Sequence, residues 1–307
     1  MKSYLSIYHI RLWIETILFW FLHIFIIPAR LRLITSRLDD TYLTYEDLWI
    51  LNNQYKTSAK LTPDQDIAYQ NKWAKRVSQI AEFYNSRNIL EVGCGIGYAS
   101  LFLRKPSRSI SAVDIVDIRA DMVKQSEVSF SIGDVCNRLP YEDNTFDLIF
   151  SINSFEHFEH PALAFNEIIR VLKPNGYLFL TFSPLYYSPW GLHASRRLGM
   201  PYPQLLFSSS TIQQFIDLNK KAIADTYSEY SDRNKIGPYI NGYSVDQYRQ
   251  VFNSMKHQIK PIVKVETTSF DGMKLIFQYP GVIKSKTPTY DDLFISGYKI
   301  LARKRAG

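Results

Sequence analysis

Short apolar runs alternate with amphipathic segments between residues 63 and 182. From Pro63 to Tyr84 the apolar residues recur near helical spacing, which predicts an amphipathic helix with the proline in its first turn. Apolar strands and helices then alternate, including a predicted helix at 161–171 and a predicted strand at 177–182. Such alternation predicts a parallel sheet with crossover helices.

The alternation breaks after residue 182 and returns near the C-terminus. Residues 183–207 form a long connection, rich in aromatic residues and prolines. It follows the fifth strand, at the carboxyl edge where ligands bind in open α/β sheets. A predicted helix at about 210–218 and a polar insert to about residue 250 come next. The stretches 262–267 and 293–303 have the pattern of two further strands.

The N-terminal segment is the most apolar part of the chain. Residues 12–29 are apolar apart from Glu15, Thr16, His23 and Pro28. As a helix these 18 residues reach about 27 Å, which is marginal for a hydrocarbon core. We expect a lipid-embedded helix at the cytoplasmic face of a membrane. A helix buried against protein, which would leave the chain cytoplasmic, and a targeting segment are the alternatives.

Composition changes this picture little. The chain has 307 residues, of which 46% are hydrophobic, enough to fill a core. Its net charge of +7 is spread along the sequence and does not by itself indicate a nucleic-acid partner. The two cysteines, Cys94 and Cys136, suit reduced thiols and a reducing compartment better than a disulfide framework.

The most informative motif lies at residues 89–97, where Ile-Leu-Glu-Val runs into Gly-Cys-Gly-Ile-Gly. A strand that enters a glycine turn before a helix is the arrangement of a nucleotide-binding crossover. Glycine lets the backbone turn sharply and lets a ligand lie against it. Asp114 ends the next apolar strand 21 residues after Gly93, near the spacing at which an acid binds a ribose. Together the two features predict a nucleotide-type cofactor.

The glycine spacing resembles the first motif of class I methyltransferases, which use S-adenosyl-L-methionine (SAM). Glu91 precedes the first glycine, and the third comes one residue earlier than in a dinucleotide fingerprint. Later motifs of this family resemble Gly133-Asp134 and residues 146–150. Residues 156–176 resemble the stretch after the fourth strand in the bacterial branch that includes quinone-biosynthesis methyltransferases. The resemblance implies an α/β, Rossmann-like fold. Its seven-stranded, mostly parallel sheet would have flanking helices and a C-terminal antiparallel hairpin, with the apolar N-terminal helix in addition.

The resemblance also implies which residues hold the cofactor. Glu91 and the glycine loop would hold the methionine end, and Asp114 would accept hydrogen bonds from the ribose. Asp134 and Val135 would frame the adenine, although a Gly-Asp pair also makes a common turn. The implied cofactor set is Glu91, Gly93, Cys94, Gly95, Gly97, Asp114, Asp134 and Val135.

Methyl transfer from a sulfonium is an in-line displacement, so the protein mainly aligns donor and acceptor. A hydroxyl acceptor would be helped by a base, and histidine suits that task near neutral pH. His157, just past the fourth strand, and His193, in the long connection, are the candidate catalytic residues. Each has a purely structural alternative.

A metal is not expected from the sequence. Relatives that methylate catechols can carry a metal-binding Glu-x-x-Glu-His motif, and here Asn153 stands at its first position. The missing acid removes a hard oxygen ligand. We therefore predict no metal, with Glu156 helping to orient local groups.

The connection after the fifth strand is the candidate acceptor site. Its aromatic side chains would either contact the acceptor or anchor the connection to the sheet, and its arginine would either bind an anionic group of the acceptor or lie on a solvated face. The residues concerned are Tyr186, Tyr187, Trp190 and Arg196. The predicted organisation is an N-terminal helix within 1–37 and a methyltransferase domain over 38–307, with a substrate-loop insertion at about 183–250.

The leading hypothesis is SAM-dependent O-methylation of a membrane-presented glycan or another hydrophobic or lipid-linked acceptor. Two alternatives stay open: methylation of an isoprenoid quinone, and a catalytically inactive SAM-fold scaffold subunit at a membrane. The glycine spacing disfavours a nicotinamide-dependent dehydrogenase.

Overall fold

The computed structural model describes residues 40–55, 63–193, 198–219 and 240–306. The apolar helix expected within residues 1–37 lies outside these residues. The described chain forms a seven-stranded sheet in the order β3-β2-β1-β4-β5-β7-β6. Its strands are β1 (Asn88–Val92), β2 (Ser109–Asp114), β3 (Ser129–Ile132), β4 (Phe146–Ile152), β5 (Leu172–Phe182), β6 (Ile259–Thr268) and β7 (Ile295–Lys304).

Strands β1 to β5 pair in parallel, and β7 pairs antiparallel with both β5 and β6. The expected Rossmann-like sheet is therefore confirmed. The last two strands are joined by three short helices instead of a tight turn, because residues 269–294 lie between them. The expected antiparallel pair is present, and its long connection builds a second layer of structure.

In the described residues, helices precede β1 and lie between most of the consecutive strands. They are α1 (Tyr45–Tyr55), α2 (Pro63–Phe83), α3 (Tyr98–Phe102), α4 (Asp121–Lys124), α5 (Pro161–Val171), α6 (Pro203–Leu206), α7 (Ser209–Leu218), α8 (Val245–Ser254), α9 (Met273–Gln278), α10 (Pro280–Lys286) and α11 (Tyr290–Phe294). The periodic pattern predicted α2, α5 and α7 with their ends correct to within one residue. Helix α5 shows why, since its apolar residues recur at helical spacing and face the core.

Helices α1 and α8 lie in segments to which the apolar pattern assigned no element. Local capping defines both. Thr44 and Asp47 exchange hydrogen bonds at the start of α1. Ser244 and Gln247 form a capping box at the start of α8. Such reciprocal bonds satisfy the first free N–H groups of a helix and mark its start.

Two apolar clusters cover the two faces of the sheet. Ile149 belongs to one cluster, whereas its neighbours Leu148 and Phe150 belong to the other. Alternate residues of a strand point to opposite faces, so this division follows from the pleat. A third group, here called the helical cluster, contains residues of α1, α6, α7, α9, α10 and α11 with a few loop residues between them, and no strand residue.

Asp147 ties three strands together near the start of β1. Its carboxylate accepts hydrogen bonds from the N–H groups of Arg87 and Asn88 at 3.0 and 2.8 Å, and it pairs with Lys173 at 2.7 Å. Burial raises the pKa of this carboxyl, but the Asn88 N–H and Lys173 outweigh it, so the pKa lies below its ordinary value. The charged form of Asp147 therefore stabilises the fold.

We predict that Asp147→Ala lowers the free energy of unfolding by about 1–3 kcal/mol at neutral pH, because two backbone donors lose their partner. A depressed pKa contributes stability above the unfolded value of about 3.9 and loses it as the pH falls through the folded value. Chemical denaturation at neutral and at acid pH measures both effects. The exposed Asp143→Ala is the control and should show a smaller loss. An undiminished effect of Asp147→Ala in acid would contradict the assignment.

Candidate active site

The order of the sheet reverses at β1, which lies between β2 and β4. In open α/β sheets the crevice at such a reversal, outside the carboxyl ends of the strands, is where ligands bind. The segments that follow β1, β2, β3 and β4 carry most of the residues that the sequence singled out. The fold therefore brings them to one edge.

The glycine loop after β1 is held by the neighbouring strand. Gly93, Gly95 and Gly97 have φ angles of 72°, 51° and 82°, a region that strongly favours glycine. The N–H of Gly93 donates to the carbonyl of Val113 at 2.9 Å. The N–H of Gly95 donates to Oδ2 of Asp114 at 2.8 Å. Asp114, the residue expected to bind the ribose, thus also holds the glycine loop in place.

The three glycines have different surroundings. A Cβ atom on Gly93 would lie 2.5 Å from the Cβ of Ser154, and one on Gly97 would lie 2.8 Å from Cγ1 of Val123. A Cβ on Gly95 would meet no atom within 4 Å. The loop is therefore packed at its two ends and open in its middle. An open backbone turn beside a carboxylate leaves room for a polar cofactor to lie against the chain, as the resemblance to SAM-binding loops implies.

Glu91 lies buried beneath this loop. Its Oε2 accepts hydrogen bonds from both the backbone N–H and the hydroxyl of Ser100, in helix α3. Burial raises the pKa of the Glu91 carboxyl to about 8, and the hydrogen bonds from Ser100 offset part of the rise. Glu91 thus joins β1 to the helix that follows the loop. Its contact with the methionine end of a cofactor stays a prediction.

The proposed adenine residues follow β3. The N–H of Gly133 donates to the carbonyl of Asp114 at 2.9 Å, which places this turn beside the glycine loop. Asp134 accepts hydrogen bonds from the N–H of Cys136 at 2.8 Å and the amide of Asn137 at 2.9 Å. These bonds are those of the turn that a Gly-Asp pair makes. The structural alternative for Asp134 is thus present, and its adenine contact stays a prediction.

Two apolar members of the expected cofactor set are buried. Val135 is 4% exposed and belongs to one of the sheet-face clusters. Cys94 is also buried, and burial raises the pKa of its thiol, with the charges of Glu91 and Asp114 adding to the effect. A thiol in that state is not a nucleophile at neutral pH. Cys94 therefore packs within the loop.

Ser154 connects the glycine loop to the segment after β4. Its hydroxyl donates to the carbonyl of Gly93 at 2.8 Å. It also precedes the 3₁₀ turn Phe155–His157, where the N–H of His157 donates to the carbonyl of Ser154 at 2.9 Å. The sequence analysis missed this residue, because a serine after a strand carries no distinguishing signal.

The two candidate catalytic histidines come together, although 35 residues separate them in the sequence. The rings of His157 and His193 lie 5.0 Å apart between centroids, at an angle of 86°. Nε2 of His193 lies 2.8 Å from the carbonyl oxygen of Pro184. Burial lowers the pKa of His193 to about 4, so its ring is neutral at physiological pH.

Glu156 lies beside this pair and is completely buried. Neither of its carboxylate oxygens makes a hydrogen bond, and Oε1 lies 4.0 Å from Nε2 of His157. Burial raises the pKa of the carboxyl to about 8, and the nearby backbone N–H groups of Glu156 and Ser183 offset part of this rise. A buried carboxyl without a close partner is uncommon and marks a site of interest.

Asn241 binds the 3₁₀ turn through hydrogen bonds to its carbonyl groups. Its backbone N–H donates to the carbonyl of Glu156 at 3.0 Å, and its side-chain amide donates to the carbonyl of Phe158 at 3.0 Å. Its Oδ1 in turn accepts a hydrogen bond from the hydroxyl of Tyr248 at 2.9 Å. The sequence analysis missed Asn241 because it lies in the polar insert, where no periodicity places it near β4.

The expected acceptor residues make anchoring contacts. Nε1 of Trp190 donates to Asp271 at 2.7 Å. The ring of Tyr187 packs against the helical cluster and lies edge-on to Tyr186, with centroids 5.0 Å apart. Arg196 lies outside the described residues. The structure thus places the three aromatic residues in one compact connection, and their contact with an acceptor stays a prediction.

Comparison with known proteins gives a match over the same strands. A model of a methyltransferase domain matches residues 90–180. The malonyl-acyl-carrier-protein O-methyltransferase of Priestia megaterium is 31% identical over 188 residues, which cover 56% of this chain and 64% of that protein. The sterol 4-C-methyltransferase strm-1 of Caenorhabditis elegans is 28% identical over 107 residues, 33% of this chain and 32% of that protein.

The matched regions are partial. This chain spans about a third of the length of the first curated relatives that it matches. Among solved structures, that of the cyclase SpnF superposes with a TM-score of 0.47 at 17% identity, covering 88% of this chain and all of that one.

The different surroundings of the glycines predict different effects of the same substitution. We expect Gly93→Ala to destabilise the fold, since its Cβ collides with Ser154. We expect Gly95→Ala to cost only about 1–2 kcal/mol, for the left-handed backbone, yet to weaken SAM binding, because its methyl group fills the open middle of the loop. Thermal unfolding and calorimetric titration with SAM measure the two properties. Unchanged SAM affinity in Gly95→Ala would show that the cofactor does not lie there.

Proposed function

We propose that this chain transfers the methyl group of SAM to a hydroxyl group, in keeping with the methyltransferase-domain model that matches residues 90–180. The observation that carries this proposal is the contact between the glycine loop and the histidine-bearing turn. Ser154 bonds to Gly93 on one side and begins the turn of His157 on the other. The proposed donor and acceptor sites would therefore be fixed relative to each other.

Alignment of this kind is what the reaction needs. The sulfonium already activates the methyl group, so the transfer is an in-line displacement that depends on the position of the acceptor. Alignment alone supplies about 7–11 kcal/mol of the barrier in favourable systems. The residues of this chain that contribute are those that hold the loop, namely Asp114 and Ser154, and the turn, namely Asn241.

The choice of an oxygen acceptor rests on the histidine pair. A hydroxyl is a weak nucleophile until it loses its proton, and His157 and His193 lie together at the carboxyl edge next to the cofactor loop. A histidine there would accept that proton during transfer. The Priestia relative is named as an O-methyltransferase and the nematode relative as a C-methyltransferase, so the relatives do not decide between the two atoms.

The acceptor that we propose is a hydrophobic or lipid-linked molecule presented at a membrane, such as a lipid-linked glycan. The support is the aromatic connection after β5 and the apolar composition of residues 12–29. Among the described residues, no helix is long and apolar enough to cross a bilayer. Residues 12–29 lie outside that set and are the proposed point of contact with the cytoplasmic face.

Vesicle flotation tests the membrane contact. The full chain should float with vesicles of mixed neutral and anionic lipid, and a chain without residues 1–37 should stay in the soluble fraction while keeping its SAM affinity. Flotation of the shortened chain would show that the membrane contact lies outside residues 1–37. Failure of the full chain to float would contradict the proposed membrane contact.

The cofactor is tested by calorimetric titration with SAM. Asp114→Ala should abolish binding, because it removes both the expected ribose acceptor and the bond that holds Gly95. Asp117→Ala is the matched control, since Asp117 lies on the same loop and pairs with Arg119 instead. A folded chain that does not bind SAM would contradict the enzymatic proposal and favour the scaffold alternative.

Transfer is tested with isotope-labelled SAM against hydroxylated lipids, lipid-linked glycans and demethylated isoprenoid quinones. His157→Ala should lower turnover by about 10²–10⁴-fold, the range for loss of a general base, with SAM affinity retained. The exposed His160→Ala serves as the control. Full activity of His157→Ala would show that His157 has a structural role only, and methyl transfer to carbon would contradict the O-methylation proposal.

A further inference from the structure

The path of the connection after β5 brings a third polar group to Glu156 and His157. We propose that Glu156, His157 and His193 form a binding site for one divalent transition-metal ion. One ligand atom of each residue lies within 4.8 Å of those of the other two. A single point therefore lies within about 2.8 Å (4.8 Å divided by √3) of all three. Metal–nitrogen and metal–oxygen bonds are about 2.0–2.2 Å, so shifts of less than an ångström complete the site.

The buried carboxylate of Glu156 is the first independent support. Glu156 is fully shielded from solvent, and neither of its oxygens has a hydrogen-bond partner. Nε2 of His157 lies 4.0 Å from Oε1 of Glu156, beyond hydrogen-bonding distance. Burying an unpaired carboxylate is costly, and buried charges are normally paired or bound to a metal. A cation between the three residues would supply the missing partner.

The hydrogen bond of His193 is the second support. The carbonyl of Pro184 is only an acceptor, so Nε2 of His193, at 2.8 Å, must carry the proton. The lone pair of the neutral ring is then on Nδ1. Histidine ligands in metal sites usually donate their other ring nitrogen to a carbonyl or carboxylate, which fixes both tautomer and orientation. His193 already has this arrangement.

The donor set selects the class of ion. Two imidazoles and one carboxylate suit zinc, iron or cobalt, whereas magnesium and calcium require mainly oxygen ligands. The expectation of no metal rested on Asn153, which stands in place of an acid. In the structure the Asn153 amide donates to the hydroxyl of Tyr69 at 2.8 Å. His193 supplies the third ligand instead, from a part of the chain that the motif does not include.

The bound ion would activate the acceptor hydroxyl, a role that rests on the proposed methyltransferase function. Three protein ligands leave coordination positions open, as in catalytic zinc sites. A hydroxyl of the acceptor bound there would have its pKa lowered and would lose its proton to solvent before it attacks the methyl group. His157 would then act as a ligand of the ion, and the acceptor would be limited to molecules that place an oxygen at this point.

Metal counting on the full, tag-free chain tests the binding itself. The protein is stripped with a chelator, titrated with zinc by calorimetry, desalted and analysed for bound zinc. We expect one equivalent per chain. His193→Ala and Glu156→Gln should each weaken zinc binding by at least about tenfold. The exposed His257→Ala is the matched control and should bind zinc as the unmodified chain does.

Cobalt provides a readout that a general loss of structure would not imitate. The visible absorption of bound cobalt reports its ligands directly, and it should change in His193→Ala while SAM affinity, measured on the same sample, is retained. Absence of stoichiometric zinc binding, or unchanged zinc affinity and cobalt spectrum in His193→Ala, would overturn the proposed site.

Methyl transfer by the stripped protein separates the site from the proposed function. Loss of transfer on stripping, with recovery on adding zinc, iron or cobalt, supports the role of the ion. Full transfer by verified metal-free protein overturns that role and leaves the methyltransferase proposal intact. Failure to bind SAM would contradict the proposed function alone, because zinc is counted independently.

Discussion

The contact between Gly93 and Ser154 is the constraint on which the arrangement of the site depends. It lies across the crevice between β1 and β4, and it has both a steric and a polar part. The serine Cβ leaves no room for any side chain on Gly93, and the serine hydroxyl bonds to the Gly93 carbonyl. Because Ser154 also begins the turn that carries His157, the glycine loop and the turn of His157 are tied directly together. Precision in such a site comes from neighbouring groups that fix its backbone.

The sequence predicts most of the fold and the donor side of the site, because both depend on local patterns. The glycine turn, Asp114 and the apolar stripe of α5 are each readable within a short window. The acceptor side depends instead on the paths of long connections. Nothing in the sequence around His193 shows that the chain returns to His157, and nothing around Asn241 shows that it bonds to the turn of Glu156. Helix α1 was missed because its apolar residues form no clear helical stripe, whereas α8 has such a stripe, at Val245, Tyr248, Val251 and Phe252, within a polar segment.

Two buried carboxylates show how the fold treats its structural and its functional groups differently. Glu91 and Glu156 each lie at the carboxyl edge of a central strand, and burial raises the pKa of each to about 8. Glu91 has two hydrogen bonds from Ser100, so its burial is compensated within the protein. Glu156 has none. In natural proteins a buried polar group without a hydrogen bond is found mainly where a ligand or ion supplies the missing partner. The contrast with Glu91 makes the unpaired state of Glu156 easier to recognise.

The composition of the helical cluster has a consequence for the order in which the molecule assembles. Leu48 and Phe294 belong to this cluster although 246 positions (294 minus 48) separate them. Contacts so distant along the chain form slowly, because the intervening loop must close first. Strands β1 to β5, by contrast, are complete by residue 182 and pair with near neighbours. During synthesis β1 to β5 can therefore begin to pair early, whereas the helical cluster cannot form until residue 294 has been made.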